Sequence, residues 1–194
     1  MPPKSKVTRD MIVSAAFEVA RSAGLEAINA RALAQKLNCS TQPVLYHFAT
    51  MEELKRAVYS HADRFHTAYL LTASGRRDPL LEIGLNYIRF AIEEPQLFRF
   101  LFQSGYAKES NLMQMLDSEE LLPVLSVMRE GLGMSMEKTR EVFLTVALFA
   151  HGYASILANN ALDFDEGLAS AHLERAFRGA VLAVGQEEND EKVL

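Results

Sequence analysis

The sequence predicts an all-α fold of about nine helices, because three observations agree along nearly the whole chain. Apolar residues recur at the spacing of amphipathic helices, Pro and Gly fall between these periodic segments, and no segment alternates as a strand bounded by turns does. The chain has 194 residues, 49% of them hydrophobic and 23% charged, which fits one large globular domain or two small ones.

Capping residues define the first four predicted helices. Each segment opens with Thr, Asn or Ser, whose side chains accept hydrogen bonds from the free amides of a first helical turn. The fourth opens with the capping box "TMEE". With the N-cap given first, the expected segments are Thr8 to Gly24, Asn29 to Leu37, Ser40 to His47, and Thr50 to about Thr72.

The later helices follow a boundary at "SGRRDP", residues 74–79, where Asp78 is the expected N-cap and Pro79 the first helical residue. They are expected at about 79–94, 96–105, 119–130, 136–159 and 168–185, with a looser stretch at 107–118 and a solvated tail "QEENDEKVL". We therefore expect an N-terminal three-helix domain over residues 1–50, a connecting fourth helix over 51–73, and a C-terminal helical domain over 74–188.

Charge is distributed unevenly along the chain, whose net charge is −5. Residues 1–66 contain nine Lys and Arg against six Asp and Glu, whereas the remainder contains 11 against 19. A basic N-terminal part on an acidic body is typical of a protein whose N-terminal part meets phosphates.

Several classes of protein are disfavoured. No uninterrupted apolar run reaches membrane-spanning length, and no apolar segment follows the basic N-terminus as in a secretory signal, so we expect a cytoplasmic protein without a membrane partner. The single cysteine, Cys39, excludes an intramolecular disulfide and a cysteine metal cage. No catalytic triad or paired metal-ligand spacing is visible, so we expect no enzyme activity, cofactor or metal.

The second and third predicted helices form a helix-turn-helix. Leu33 with Leu37 in the second helix, and Val44 with Phe48 in the third, are spaced four residues apart, as residues that face one core are. Such units place their second helix in the major groove of DNA. Short helix pairs also occur in many all-α proteins that bind no DNA, so the pattern alone leaves both readings open.

The outward residues of the third helix are unusual for an amphipathic helix. Thr41, Gln42 and Pro43 lie in its first turn, where Gln can pair with adenine and a Thr methyl or a Pro ring can meet apolar base edges. Tyr46 and His47 follow one turn later, where they can reach phosphate oxygens. Alternatively, Tyr46 and His47 form a simple helix end packed on the first helix.

The stretch "IVSAAFEVARSAGLEAINARALAQKLNCSTQPVLYHFATMEELKRAV" resembles the DNA-binding domain of the TetR family of bacterial transcriptional regulators. "FAHGYASILANNAL" is similar to a His-Gly motif of one subgroup, with Ala150 in place of the usual tryptophan. Leu45 stands where the family commonly has Tyr, and Met51 where it has Lys, so Lys55 is expected to take over that phosphate contact. The candidate DNA-binding residues are Thr8, Asn29, Arg31, Ser40, Thr41, Gln42, Pro43, Tyr46, His47 and Lys55.

The resemblance implies a homodimer formed through helices eight and nine, and a repressor released from a palindromic operator by a small, mostly apolar ligand. An apolar stripe on helix nine is consistent with dimerisation, although it equally suits a helix that closes a monomeric core; it comprises Ala169, Leu173, Ala176, Phe177, Ala180, Val181 and Val184.

Aromatic residues and Met in the middle helices suit an adaptable ligand cavity, although each is also an ordinary core residue. The candidate ligand-binding residues are Tyr87, Phe90, Phe98, Phe102, Tyr106, Met128, Phe149, His151 and Tyr153. The alternative function is a helical ligand-binding or interaction module that has lost DNA binding.

Overall fold

The computed structural model describes residues 7–72, 78–107, 111, 114, 116–160 and 162–191. These residues form nine α-helices and no β-strand, which confirms the predicted all-α fold. The helices are α1 Arg9–Ala23, α2 Ala30–Lys36, α3 Gln42–His47, α4 Met51–Leu70, α5 Pro79–Glu93, α6 Pro95–Gln103, α7 Leu122–Leu132, α8 Met136–Asn160 and α9 Glu166–Glu191.

The predicted caps of α1 and α2 are confirmed. Thr8 Oγ1 accepts a hydrogen bond from the Met11 amide at 3.2 Å, and Asn29 Oδ1 accepts from two amides of the first turn of α2, at 3.1 and 3.0 Å. Gly24 ends α1 with a φ of +86°, a left-handed backbone conformation that favours glycine. Local chemistry therefore determines where these helices begin and end.

The third helix begins at Gln42 rather than after Ser40. Thr41 is the residue that precedes the helix, and it already has helical backbone angles, with φ −70° and ψ −16°. Ser40 belongs to the turn, in which Asn38 adopts a φ of +50° and the Cys39 amide donates to the Ala34 carbonyl at 2.9 Å. The prediction that Ser40 is the N-cap was wrong, because this turn is longer than the sequence pattern indicates.

Two later helix limits also differ from prediction. The seventh helix begins at Leu122, with Pro123 in its first turn, instead of near Glu119. The ninth continues to Glu191, so the segment expected to be a solvated tail is helical up to that residue. Its Gln and Glu residues are good helix formers, and no proline interrupts them. Much of the looser stretch predicted at 107–118 lies outside the described residues.

The chain forms two compact units, which differ from the predicted domains. The first comprises Met1–Phe65 and Glu94–Lys108, and the second His66–Glu93 and Glu109–Leu194. Within the first unit, α1 packs against α2, α3 and α6, so the sixth helix belongs with the N-terminal helices rather than with its sequence neighbours. The predicted boundary at residues 73 and 74 was based on local composition. Local composition does not show that residues 94–108 belong to the first unit although they follow part of the second unit in the sequence.

Each unit has its own apolar core. In the first unit, side chains with no exposed surface include Ile12, Leu33, Val44, Phe48, Leu54 and Val58. The core of the second unit includes Leu70, Ile83, Val124, Met128, Val142 and Ala180. In α9, Leu173 is only 2% exposed, and a β-carbon on Gly84 of α5 would lie 3.3 Å from its methyl groups. Glycine at position 84 thus permits a close approach of α5 and α9.

Candidate nucleic-acid interface and ligand site

The α2–turn–α3 segment has the geometry expected of a helix-turn-helix. The two helices contact each other, and both also contact α1. Val44 and Phe48 are completely buried, as is Leu33 of α2, which confirms the prediction that these three residues face the core. Leu37, predicted to do the same, directly follows α2 and is only partly buried. The fixed inner side of α3 determines which of its residues face outward.

The outward face of α3 carries the residues that the sequence singled out. Gln42 is exposed, and Thr41 and Pro43 are partly exposed. Leu45 and Tyr46 are 57% and 81% exposed, which is unusual for large apolar or aromatic side chains. The outward side of α3 thus presents Gln42, Leu45 and Tyr46, and the helix contains no acidic residue.

His47 has a different environment from Tyr46. Its Nε2 atom lies 3.0 Å from the backbone carbonyl oxygen of Val7, in a partly buried contact. A carbonyl oxygen only accepts hydrogen bonds, so Nε2 must carry the proton that is donated to it. The proton that a phosphate contact through Nε2 would require is therefore already engaged within the chain.

Asn29 caps α2 in a way that bears on phosphate binding. Its side chain occupies the amides of Arg31 and Ala32, which would otherwise be available to an anion. Arg31 itself is exposed on α2. Any contact of Asn29 with DNA would have to come from the rest of its side chain.

The start of α4 is capped in the same manner. Thr50 Oγ1 accepts from the Glu53 amide at 3.1 Å, and Glu53 Oε2 accepts from the Ala49 amide at 3.1 Å. Lys55, the expected substitute for a phosphate-binding lysine, has only 17% of its side chain exposed, and its Nζ lies 4.0 Å from Glu26 Oε2. Both features make the start of α4 less available to phosphate than the sequence suggested.

A groove in the first unit was not anticipated from the sequence. It lies between α1 and α4, has a volume of about 650 Å³, and contains three arginines, Arg9, Arg56 and Arg64. Asp10 and Glu53 also line it, so its charge is only partly cationic. The arginines come from two helices far apart in the sequence, which explains why no local pattern indicated the groove.

The second unit contains a partly buried polar cluster around His151. Tyr87 Oη lies 2.8 Å from His151 Nδ1, and Ser155 Oγ lies 3.4 Å from His151 Nε2. The His66 ring packs edge-on against Tyr87 and Phe90, with ring centroids 5.4 and 4.7 Å away. Two of the predicted polar ligand groups, Tyr87 and His151, are thus in direct contact.

Burial keeps the groups of this cluster uncharged. It lowers the pKa of His66 to about 3 and lowers the pKa of His151, because a buried imidazolium is poorly solvated. Burial raises the pKa of Tyr87 for the corresponding reason, since its charged form is the phenolate. At neutral pH the cluster offers neutral hydrogen-bonding groups among aromatic rings.

The predicted ligand-binding residues do not all lie in one unit. Phe98, Phe102 and Tyr106 belong to the first unit, and the Tyr106 hydroxyl donates to Glu52 Oε2 at 2.7 Å. The other six belong to the second unit, where Met128 is a core residue and Phe149 is 38% exposed.

A cavity of about 350 Å³ lies between α5, α8 and α9 of the second unit. Its apolar lining residues are Leu80, Leu81, Gly84, Val146, Leu173 and Phe177, and the charged ones are Asp78, Glu174 and Arg178. None of the predicted ligand-binding residues lines it. Three helices contribute to this cavity, which is why their separate sequence patterns did not reveal it.

Helices α8 and α9 expose several large apolar side chains. Leu148, Phe149 and Ile156 of α8 are 50%, 38% and 58% exposed, and Leu168 and Leu182 of α9 are 50% and 65% exposed. These residues are not the stripe predicted on helix nine, which faces the core of its own unit. The sequence pattern revealed only the covered side of α9.

Helix α8 also meets the length and composition expected of a membrane span. It has 25 residues, and its most apolar 18-residue window has a mean hydropathy of 1.5, with 22% of that window buried. The sequence prediction of no membrane span considered only uninterrupted apolar runs. Polar residues interrupt such runs in α8, although the mean hydropathy over 18 of its residues is high. Within the part of the chain described, no other helix meets this criterion.

Comparison with known proteins gives a consistent result, although no family model matches the chain. The chain is 24% identical over 173 residues to the HTH-type transcriptional regulator YobS of Bacillus subtilis, a match that covers 87% of this chain and 88% of YobS. It is similar in structure to a TetR-family transcriptional regulator from Streptomyces coelicolor, with a TM-score of 0.70, 16% identity, and coverage of 94% of this chain and 83% of that one. A TetR variant from Acinetobacter baumannii in complex with minocycline matches with a TM-score of 0.59, 14% identity, and coverage of 93% and 98%.

Proposed function

The chain has the fold of the TetR-family transcriptional regulators. We propose from this fold, and from the similarity to the regulator YobS, that the chain is a transcriptional regulator of this type rather than an enzyme and that it binds operator DNA as a homodimer. We propose further that it acts as a repressor, and that a small, mostly apolar ligand releases it from a palindromic operator. The subgroup with a His-Gly motif stays a prediction.

The observation that carries the proposal is the fixed orientation of α3. Val44 and Phe48 have no exposed surface, so the helix cannot rotate without losing core contacts. This orientation supports a role in base recognition for Thr41, which directly precedes α3, and for Gln42 and Pro43 in its first turn, the part that a recognition helix directs into the major groove. The exposed Tyr46 then lies beside the sugar–phosphate backbone.

The exposed apolar residues of α8 and α9 support dimerisation. Leu148, Phe149 and Ile156 recur along one face of α8, and Leu168 and Leu182 lie on α9. A second copy of the chain would remove these side chains from water, as in other symmetric dimers. Two copies related by a two-fold axis present two copies of α3, which predicts a palindromic operator with half-sites about one DNA turn apart.

The interior of the second unit supports a neutral ligand. Tyr87 and His151 offer hydrogen-bonding groups that burial keeps uncharged, within an aromatic environment. A charged ligand would find no counter-charge in these two groups. A neutral molecule with one or two polar atoms needs only hydrogen-bonding partners of this kind. The cavity between α5, α8 and α9 is a second possible position for the same class of ligand.

Release from DNA would follow from a shift of population. A ligand that binds one conformation of the second unit better than another favours that conformation by its differential affinity. The chain passes between the two units three times: within α4 at residues 65 and 66, at residues 93 and 94, and at residues 108 and 109. These covalent connections are the routes by which we expect the ligand to change the spacing of the two α3 helices.

A footprinting experiment on the DNA upstream of the gene that encodes the chain tests the proposal. The purified protein should protect one segment with two symmetric halves, and unrelated DNA should compete for it poorly. Failure of the purified protein to bind any duplex at low salt would refute DNA binding.

The alternative of a module that has lost DNA binding is favoured by two observations at the expected phosphate contacts. Leu45 is exposed where the family commonly has Tyr, and Lys55 is turned toward Glu26. The double variant Gln42→Ala/Tyr46→Phe distinguishes the two functions. If the chain is a regulator, this variant should lose operator binding while its dimerisation is unchanged.

A further inference from the structure

We propose that Asn86 and Arg89 of α5 are positioning residues for DNA binding, because they join the carboxyl end of α4 to the first residue of α9. Helix α4 follows the candidate recognition helix, and α9 contributes to the proposed dimer interface. This inference rests on the proposed DNA binding as a homodimer. It adds a polar link, from α4 through Asn86 and Arg89 to α9, that lies outside the recognition helix and the exposed apolar faces.

The carboxyl end of α4 is held by a side chain of another helix. Helix α4 ends at Leu70, and the last carbonyl groups of a helix have no amide of a further turn to accept from. Asn86 Nδ2 donates to the carbonyl oxygen of Leu70 at 3.1 Å and to that of Thr72 at 2.8 Å. Asn86 is only 5% exposed, so losing it would leave these carbonyl groups without a replacement from bulk water. The position at which α4 ends therefore depends on α5.

Arg89 determines how the Asn86 amide is oriented. Its Nη1 atom lies 2.8 Å from Asn86 Oδ1 and 3.1 Å from Glu82 Oε1. A guanidinium can only donate hydrogen bonds, so the amide oxygen must face Arg89 and the amide nitrogen must face the end of α4. The three residues lie one turn apart along α5, and their side chains therefore share one face of that helix.

The same guanidinium also holds the start of α9. Arg89 Nε and Nη2 lie 3.2 and 2.6 Å from Glu166 Oε2, and the two residues are 77 positions apart in the sequence. Glu166 is the first residue of α9, and Leu168, which is 50% exposed, belongs to the same first turn. One arginine thus connects a helix of the proposed dimer interface with the amide that holds α4.

A single continuous helix connects this polar link to the candidate recognition helix. Helix α4 extends from Met51 to Leu70, the chain passes between the two units within it, and α3 ends just before it, at His47. A helix is a rigid element, so a change at one end is carried to the other. The polar link should therefore affect the distance between the two α3 helices of a dimer, whereas each α3 keeps its own base contacts.

Amide hydrogen exchange at the end of α4 tests the link in the absence of DNA. The reporters are the amides of Leu71 and Thr72, which donate to carbonyl groups of α4. Asn86→Leu keeps the approximate size of the side chain but removes its polar atoms, so it should speed their exchange by about tenfold. Unchanged exchange would mean that Asn86 does not hold α4, and it would overturn the proposal.

Glu166→Gln tests whether the effect passes from α9 through Arg89. The Glu166 side chain is 39% exposed, so this variant should stay folded, which thermal melting verifies. It weakens the ion pair with Arg89 and should speed exchange at the end of α4 by about threefold. Arg178→Gln, which breaks an exposed pair with Glu174 inside α9, is the matched control and should leave the exchange unchanged. No effect of Glu166→Gln, or an equal effect of Arg178→Gln, would overturn the link to α9.

DNA binding tests the positioning role itself. Fluorescence anisotropy compares the operator found by footprinting with a duplex that contains only one of its halves. Asn86→Leu should weaken binding to the whole operator by about tenfold and leave binding to the half-operator unchanged, because only the whole operator requires a defined spacing of two α3 helices.

The other outcomes of this comparison are equally decisive. Equal weakening on both duplexes would show a merely structural role for Asn86 and would overturn the proposal, as would unchanged binding to both. No binding of the wild-type protein to either duplex would refute the proposed function itself. The exchange experiment would still show whether the polar link exists, which separates the two failures.

Discussion

The guanidinium of Arg21 donates hydrogen bonds to the carboxylate of Glu94, a residue 73 positions later in the sequence. Arg21 Nε lies 3.0 and 2.8 Å from the two Glu94 oxygens, and Nη2 also contacts Oε1. The hydrogen bond to Glu94 raises the pKa of Arg21 further, and the guanidinium also lies over the Phe65 ring. Because Glu94 directly precedes α6, this pair fastens the sixth helix to α1 within the first unit.

Loss of Arg21 should destabilise the first unit. The Glu94 side chain is only 10% exposed, so Arg21→Ala leaves a nearly buried carboxylate without its partner. Arg21 is 40% exposed and hence screened by water, so we expect a loss of about 1–2 kcal/mol in the free energy of unfolding, below the range for fully buried pairs. Urea unfolding measures it.

Two further variants test this explanation. Glu94→Gln in the Arg21→Ala background should recover part of the loss, because no charge then remains buried. Arg99→Ala removes an exposed arginine of α6 and should change the stability little. Equal losses in Arg21→Ala and Arg99→Ala would show that the ion pair contributes nothing specific.

Acid should destabilise the second unit through His66. The pKa of His66 is lowered to about 3 in the folded chain, against an ordinary value of 6.5, because the ring is buried. Between these values the unfolded chain binds a proton that the folded chain does not, so stability is complete above pH 6.5 and falls as the pH decreases toward 3. Each pH unit in this window should cost about 1.4 kcal/mol from this residue.

The variant His66→Phe isolates that contribution. Its free energy of unfolding should decrease less steeply than that of the wild type between pH 6.5 and the acid limit of the folded state, and the difference in slope is the measurement. His151, whose pKa is also lowered, remains in both proteins and cancels in the comparison. Parallel pH profiles would mean that His66 does not titrate differently in the folded and unfolded chains.

Gln42 should determine operator specificity. Gln42→Ala removes a side chain able to pair with adenine, so discrimination between the operator and random DNA should fall by about 1–3 kcal/mol. Gln35→Ala, which changes another exposed glutamine, on α2, is the matched control. Anisotropy titrations with both duplexes at one salt concentration measure the ratio. A change of the same size for both substitutions would exclude base reading by Gln42.

Ile156 should be essential for the dimer but not for the fold. Ile156→Glu places a charge on an exposed apolar face of α8, so sedimentation should show monomers while helical content is retained. Leu122→Glu changes a leucine of α7 that is 42% exposed and is the control, which should leave the dimer intact. A wild-type protein that sediments as a monomer at micromolar concentration would contradict the proposed interface.

Local sequence determined the helices and much of the candidate recognition surface. Thr8, Asn29 and Asp78 cap the predicted helices, since capping depends on residues only two or three positions away. Val44 and Phe48 are buried because helical periodicity alone selects the inner face of so short a helix. Helix caps and the buried face of α3 depend on residues that are close in the sequence, so they can be predicted from the sequence alone.

Only the tertiary structure decided which distant residues meet. The pairing of Arg21 with Glu94, the contact of His47 with Val7, and the assignment of α6 to the first unit all join segments tens of residues apart. The same limit applies to α9. The sequence shows its apolar stripe, but it does not show that the stripe packs on the core of the second unit. Periodicity shows that a face is apolar, but its partner depends on how the helices pack, and that packing is a property of the whole chain.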